Sequence, residues 1–174
     1  LFSGFVGQGP KVDEFESKLA AYFNNKNIVT VNAGTSGLQL ALRLANVGYG
    51  DEVISTPMTC TATNMPILAA GAKIVWADVD SETGLISPES IESKITPKTK
   101  AIIPVHLFGQ AADMQAINKL AEKYNLFVIE DNAQGIGATY TYDDGNKIKT
   151  GVLGHVGATS FFPSKNLGAY GDGG

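Results

Sequence analysis

The feature that most constrains this chain is an alternation of two patterns. Short apolar runs rich in Val and Ile, each bounded by Gly, Pro or Asp, are separated by segments whose apolar residues recur at helical spacing. Strands that are apolar on both faces and take turns with helices predict a mainly parallel sheet covered by helices on both sides.

The order of elements follows from the same patterns. Val12, Phe15, Leu19 and Tyr22 mark a helix that opens after Pro10, a residue suited to a first turn. Ile28 to Val31 reads as a strand, and Leu38, Leu42 and Ala45 return to helical spacing after Asn32-Ala33-Gly34-Thr35-Ser36. Glu52 to Ser55 predicts a strand, Asn64 to Ala70 a helix, and Lys73 to Ala77 a further strand. Ser87-Pro88-Glu89 has the cap, first-turn proline and acidic first turn of a helix that runs to Lys94. A buried-type strand follows at Ala101 to Val105, then a helix with Met114, Ile117, Leu120, Ala121 and Tyr124 on one face. Leu126 to Ile129 is a continuous apolar strand running into Glu130-Asp131. Tyr140 to Thr150, turning on Asp144-Gly145, predicts a hairpin before a last strand at Ala158 to Phe162.

Composition removes several function classes. Of 174 residues 44% are hydrophobic and 17% charged, which suits a globular domain rather than a disordered one. The net charge is −4 and the basic residues are scattered, so the footprint of a nucleic-acid binder is missing. No apolar stretch approaches the roughly 20 residues of a membrane-spanning helix, and a soluble, cytoplasmic protein is expected. Cys60 stands alone, which leaves no internal disulfide. The chain begins at Leu1 and stops on the loop-like Gly171-Asp172-Gly173-Gly174, so more protein is expected on either side.

In open α/β sheets ligands gather beyond the carboxyl ends of the strands. There this sequence is polar. Gly34-Thr35-Ser36 opens a helix, where free backbone N–H groups and the helix dipole favour a phosphate. Asp131 and Gln134 follow the strand that ends at Glu130, and Ser160 and Lys165 lie within and just after the last strand. Singly these are caps, turn formers and a solvated lysine. Together, a phosphate cradle, a carboxylate and a lysine match what pyridoxal phosphate asks of a protein. A lysine amine joins the cofactor aldehyde in a Schiff base, and a carboxylate keeps the pyridine nitrogen protonated.

Four ordered stretches carry a resemblance: Gly34 to Leu42, Pro104 to Gln110, Glu130-Asp131-Asn132-Ala133-Gln134, and Ser160 to Gly174. They resemble the DegT/DnrJ/EryC1/StrS family of sugar aminotransferases, which have the fold of the aspartate aminotransferase superfamily. The resemblance runs through nearly all of the chain. It implies that residues 1–174 are the front of the large, cofactor-binding domain, the remaining strands and a small C-terminal domain lying outside this sequence. It also implies roles: Lys165 for the Schiff base and proton shuttle, Asp131 for the pyridine nitrogen, and Gln134 beside the phenolic oxygen. Thr35, Ser36 and Ser160 would hold the phosphate.

One departure stands out. Where many relatives stack an aromatic ring on the cofactor, Met58-Thr59-Cys60-Thr61-Ala62-Thr63 offers Cys60. A thiol packs on a ring face with less area than Trp or Phe, and the other reading is a buried free cysteine with no special role. His106 admits a structural role or acid–base work. His155 gives no signal, and two histidines with one cysteine make no metal site. Gly135-Ile136-Gly137 lacks the third glycine of a dinucleotide fingerprint. Gly4, Gly7 and Gly9 suggest a mobile segment over the site.

The resemblance implies transfer of an amino group from an amino acid, glutamate being expected, to a keto-sugar on a nucleotide diphosphate. A homodimer with a shared site is implied as well. Two rivals stay open: the same fold acting on another ketone such as a keto-inositol, and a non-catalytic sugar-nucleotide binder or regulator.

Overall fold

The computed structural model describes residues 7–174; Gly4 lies outside them. Helix α1 (Pro10–Phe23) has Pro10 in its first turn and ends at Asn24, whose left-handed backbone (φ 50) closes it. Helix α2 spans Gly34–Leu44, strand β1 Glu52–Ser55, α3 Thr61–Ala69 and β2 Lys73–Trp76. Helix α4 (Pro88–Lys94) carries the expected cap, Ser87 accepting from the Ser90 N–H. Strand β3 covers Thr99–Ile102, α5 Met114–Tyr124 and β4 Phe127–Asp131. The antiparallel pair β5 (Thr139–Thr141) and β6 (Lys147–Lys149) turns through Gly145 (φ +86), and β7 (Val156–Ala158) comes last.

The main sheet has five strands in the order β2-β1-β3-β4-β7, and every neighbouring pair is parallel. Side chains alternate across a strand, and the strands use both faces. Ile54, Ile102 and Val128 point to one face, where Ile91 of α4 and Met114, Ile117 and Ala121 of α5 cover them. Val53, Ala101, Ile103 and Ile129 point to the other, under Leu38, Ala41 and Leu42 of α2 and Ile67 of α3. Each fully buried Val, Leu, Ile or Met among them is worth roughly 1.5–3 kcal/mol. The chain goes from β1 outward to β2 and then to β3 on β1's other side, so the strand order reverses between β1 and β3. A ligand crevice belongs at such a reversal.

Several boundaries differ from the sequence reading; α3 opens at Thr61 rather than Asn64, and β2 ends at Trp76 rather than Ala77. Ile28 to Val31 forms no strand: Val31 exchanges both backbone hydrogen bonds with Gly174 (2.9 and 3.0 Å), and the rest of the run stays unpaired with the sheet. Strand β3 stops at Ile102 before Pro104, which has no N–H to give; Val105 makes an isolated bridge to Asp131. Strand β7 ends at Ala158, so Ser160 lies beyond it rather than within it. The chain folds back there, and Phe161 N–H donates to the Gly173 carbonyl at 2.8 Å. No helix of the described residues is long and apolar enough to cross a membrane.

Candidate cofactor site

Asp131, the last residue of β4, is 4% exposed. Its Oδ2 accepts the Thr63 hydroxyl at 2.6 Å and its Oδ1 accepts the Ala133 N–H at 3.0 Å. Among the described residues no Lys, Arg or His pairs with it. A carboxylate removed from water without a cation is costly, so this one suits a positively charged N–H brought by a ligand. Register pairs Asp131 with Ala158, which brings Ser160 to the neighbouring strand end.

Ser160 meets the start of α2. A Cβ placed on Gly34 would lie 2.8 Å from Ser160 Cβ and 3.2 Å from its Cα. Only glycine allows that approach. The approach sets the Ser160 side chain against the first turn of α2, where Thr35 and Ser36 are half-buried. No side chain caps this helix, which leaves its N-terminal N–H groups and dipole for an anion. Ser160 thus lies beside Gly34, the residue just before Thr35 and Ser36.

Gln134 is held on the other side. Its Oε1 accepts the Phe108 N–H at 2.7 Å, which turns the amide so that its NH2 is left to donate. Phe108 has a left-handed backbone (φ 56) in the short 3-10 turn Leu107–Gly109, a conformation that must be held by its surroundings. His106 holds it. This side chain is fully buried, its Nδ1 accepting the Ala112 N–H at 3.2 Å and its Nε2 lying 2.8 Å from Glu130 Oε2. With both ring nitrogens engaged away from Asp131, His106 is structural, one of the two roles the sequence allowed. His155 stacks on Phe127 with ring centroids 4.6 Å apart, and the described residues contain no group of three metal ligands.

Cys60 is exposed and stands just before α3, one turn ahead of Thr63. The reading of a buried cysteine is therefore corrected: Cys60 is exposed, three residues before the Thr63 that touches Asp131. Lys165 is half-buried in the turn after Phe162, its N–H bonded to the Phe162 carbonyl at 2.8 Å, and it makes no ion pair among the described residues. The sequence reading missed Thr59, Thr63, Glu130 and the Phe108 N–H. Thr63 had one available signal, its position one helical turn after Cys60.

An open parallel α/β sheet with a buried carboxylate and an uncapped helix start at its strand ends has the fold of the pyridoxal-phosphate aminotransferases. The chain belongs to the DegT/DnrJ/EryC1/StrS aminotransferase family, whose sequence model matches residues 1–174. It is 49% identical over 166 residues to the pleiotropic regulatory protein of Geobacillus stearothermophilus, covering 95% of this chain and 43% of that one. It is 46% identical over 166 residues to the UDP-2-acetamido-2-deoxy-3-oxo-D-glucuronate aminotransferase of Pseudomonas aeruginosa, covering 95% and 45%. The crystal structure of NtdA from Bacillus subtilis with bound cofactor PMP superposes with a TM-score of 0.90 at 36% identity, covering 98% of this chain and 37% of that one. The chain spans less than half the length of these relatives.

Proposed function

We propose that the protein moves an amino group from an amino acid, glutamate, to the ketone of a sugar carried on a nucleotide diphosphate, with pyridoxal phosphate as cofactor. The observation that carries this is Asp131, a buried carboxylate at a strand end, held by two neutral donors and, among the described residues, paired with no cation. When bound, the cofactor supplies an aldehyde that takes up nitrogen and a ring that accepts the electrons freed when the substrate C–H bond breaks. Lys165 Nζ is the group that holds the aldehyde carbon and then carries the proton to and from the substrate carbon. Asp131 holds the ring N–H, and the Gln134 amide donates to the phenolic oxygen. The Thr35, Ser36 and Ser160 hydroxyls, with the α2 N–H groups, bind the phosphate, and Cys60 Sγ packs on a ring face. Residues 1–174 would form the front of the cofactor domain, a second copy of the chain would complete the site, and the reaction would run in the cytoplasm. Support for a sugar-nucleotide acceptor comes from the Pseudomonas relative, whose name states such a substrate.

The test is the visible absorbance of the full-length protein with pyridoxal phosphate, before and after glutamate, in wild type and Lys165→Ala. A band that glutamate bleaches and that the variant lacks supports the reading. Wild type with no such band sinks it.

The name of the Geobacillus relative states a regulatory role, which favours as a second reading a non-catalytic regulator, with a sugar nucleotide as its ligand. That reading expects no amino transfer to any keto-sugar or keto-inositol in a substrate panel. Transfer to a keto-inositol alone would instead select the other ketone.

A further inference from the structure

We propose that Thr63, backed by Thr59, is the positioning residue that aims Asp131 at the ring nitrogen of the cofactor. This rests on the cofactor reading above. Thr63 is 1% exposed, in the first turn of α3, and its hydroxyl reaches across 68 residues of sequence to Asp131 Oδ2. At 2.6 Å this has the length of a hydrogen bond to a charged acceptor. Ala133 N–H binds the other oxygen, so the carboxylate is gripped at both atoms and its plane cannot turn freely.

The direction of the relay follows from which groups can donate. A carboxylate only accepts, so the Thr63 hydrogen is committed to Asp131. Thr59 Oγ1 lies 2.7 Å from Thr63 Oγ1 and must then be the donor of that pair. The hydroxyl chain therefore runs Thr59 to Thr63 to Asp131, each hydrogen pointing toward the carboxylate. Its chemistry matters as much as its geometry. A lysine or arginine in place of Thr63 would also hold the carboxylate, but would neutralise the charge that attracts the ring N–H. Two neutral hydroxyls orient Asp131 and leave its charge to the cofactor.

The test measures the cofactor dissociation constant of the full-length protein by absorbance titration, with pyridoxal phosphate and with an analogue that has carbon in place of the ring nitrogen. Thr63→Val keeps the shape and removes the hydroxyl. It is expected to weaken pyridoxal phosphate by about tenfold or more, leave the analogue within about twofold, and be rescued by Thr63→Ser. Thr59→Val, which leaves the Thr63 bond in place, should show the same selectivity with a smaller loss of about threefold. It stands in if Thr63→Val does not fold. Equal weakening of both ligands would mean that the hydroxyl only packs α3 against β4, and unchanged binding of both would mean that it does not act on the cofactor. Either result overturns the proposal. Wild type that binds neither ligand overturns the cofactor reading itself.

Discussion

His106 Nε2 lies 2.8 Å from Glu130 Oε2, and neither side chain exposes any surface. Since Nδ1 accepts the Ala112 N–H, the ring hydrogen sits on Nε2 and points at the carboxylate. Glu130 takes three further donors: the Gly151 N–H on Oε2, and those of Leu153 and Gly154 on Oε1, at 2.6 to 2.7 Å. One side chain thus ties the segment leading into β7 and the turn carrying Phe108 to the same strand. Glu130→Gln would face this ring of donors with an NH2 group. We expect a loss of about 3 kcal/mol in stability, measured by urea unfolding of the full-length protein. A change under about 0.5 kcal/mol, the range of a surface substitution, would show that Glu130 is not the hub described.

Gly34 tests the phosphate cradle. An alanine methyl would press on Ser160 at 2.8 Å, and backbone as well as side chain would have to give. Gly34→Ala should therefore weaken pyridoxal phosphate by about tenfold or more, while leaving pyridoxal, which lacks the phosphate, nearly unaffected. Titration of both ligands checks it. Equal loss for both would move the damage away from the phosphate.

Gln134 is argued from its amide orientation. With Oε1 taken by the Phe108 N–H, only the NH2 can face the cofactor's phenolic oxygen. Gln134→Glu keeps an oxygen for Phe108 but turns the donor into a second negative oxygen. Cofactor affinity should fall about tenfold or more and the absorbance maximum should shift. Thermal stability should hold, because the Phe108 bond survives. A variant that binds and absorbs like wild type would remove Gln134 from the site.

The parts of this fold that were legible in the sequence are those specified by neighbours. Ser87 three residues before the Ser90 N–H it caps, Gly145 in the hairpin turn, and the α5 face of Met114, Ile117 and Ala121 all act within a turn or two. The Ile28 to Val31 run has strand composition, but a strand needs a partner along its length, and here Val31 alone is paired. Thr63 and Glu130 were passed over for a related reason. Their bonds cross 68 and 24 residues of sequence, and neither residue type signals its partner locally. Asp131 and Lys165 stood out by their places after strands, and the motif resemblance implied their roles, whereas the grip of Thr63 on Asp131 is a contact between distant segments.

Tyr140 links the β5–β6 hairpin to α5 and should make stability fall at alkaline pH. Its hydroxyl donates to Asp113 Oδ1 at 2.7 Å, and the same Asp113 oxygen caps α5 by accepting the Ala116 N–H. Burial, followed by the hydrogen bond to Asp113, pushes the Tyr140 phenol up from 10.0 to about 12. A group whose folded-state value is raised contributes stability that is fully present below its unfolded value and is lost as pH rises toward the folded one. Stability should therefore decline between about pH 10 and 12, as the unfolded chain gives up a proton that the folded chain retains. Tyr142 is raised as well, again first by burial, so it adds to the same slope. Tyr140→Phe should lower stability at neutral pH by about 1 kcal/mol, the worth of an ordinary hydrogen bond, and flatten the alkaline decline. Denaturant unfolding across that pH range, followed alongside tyrosinate ultraviolet absorbance, measures both effects. An unchanged alkaline slope in the variant would place the titrating group elsewhere and undo the link between hairpin and helix cap.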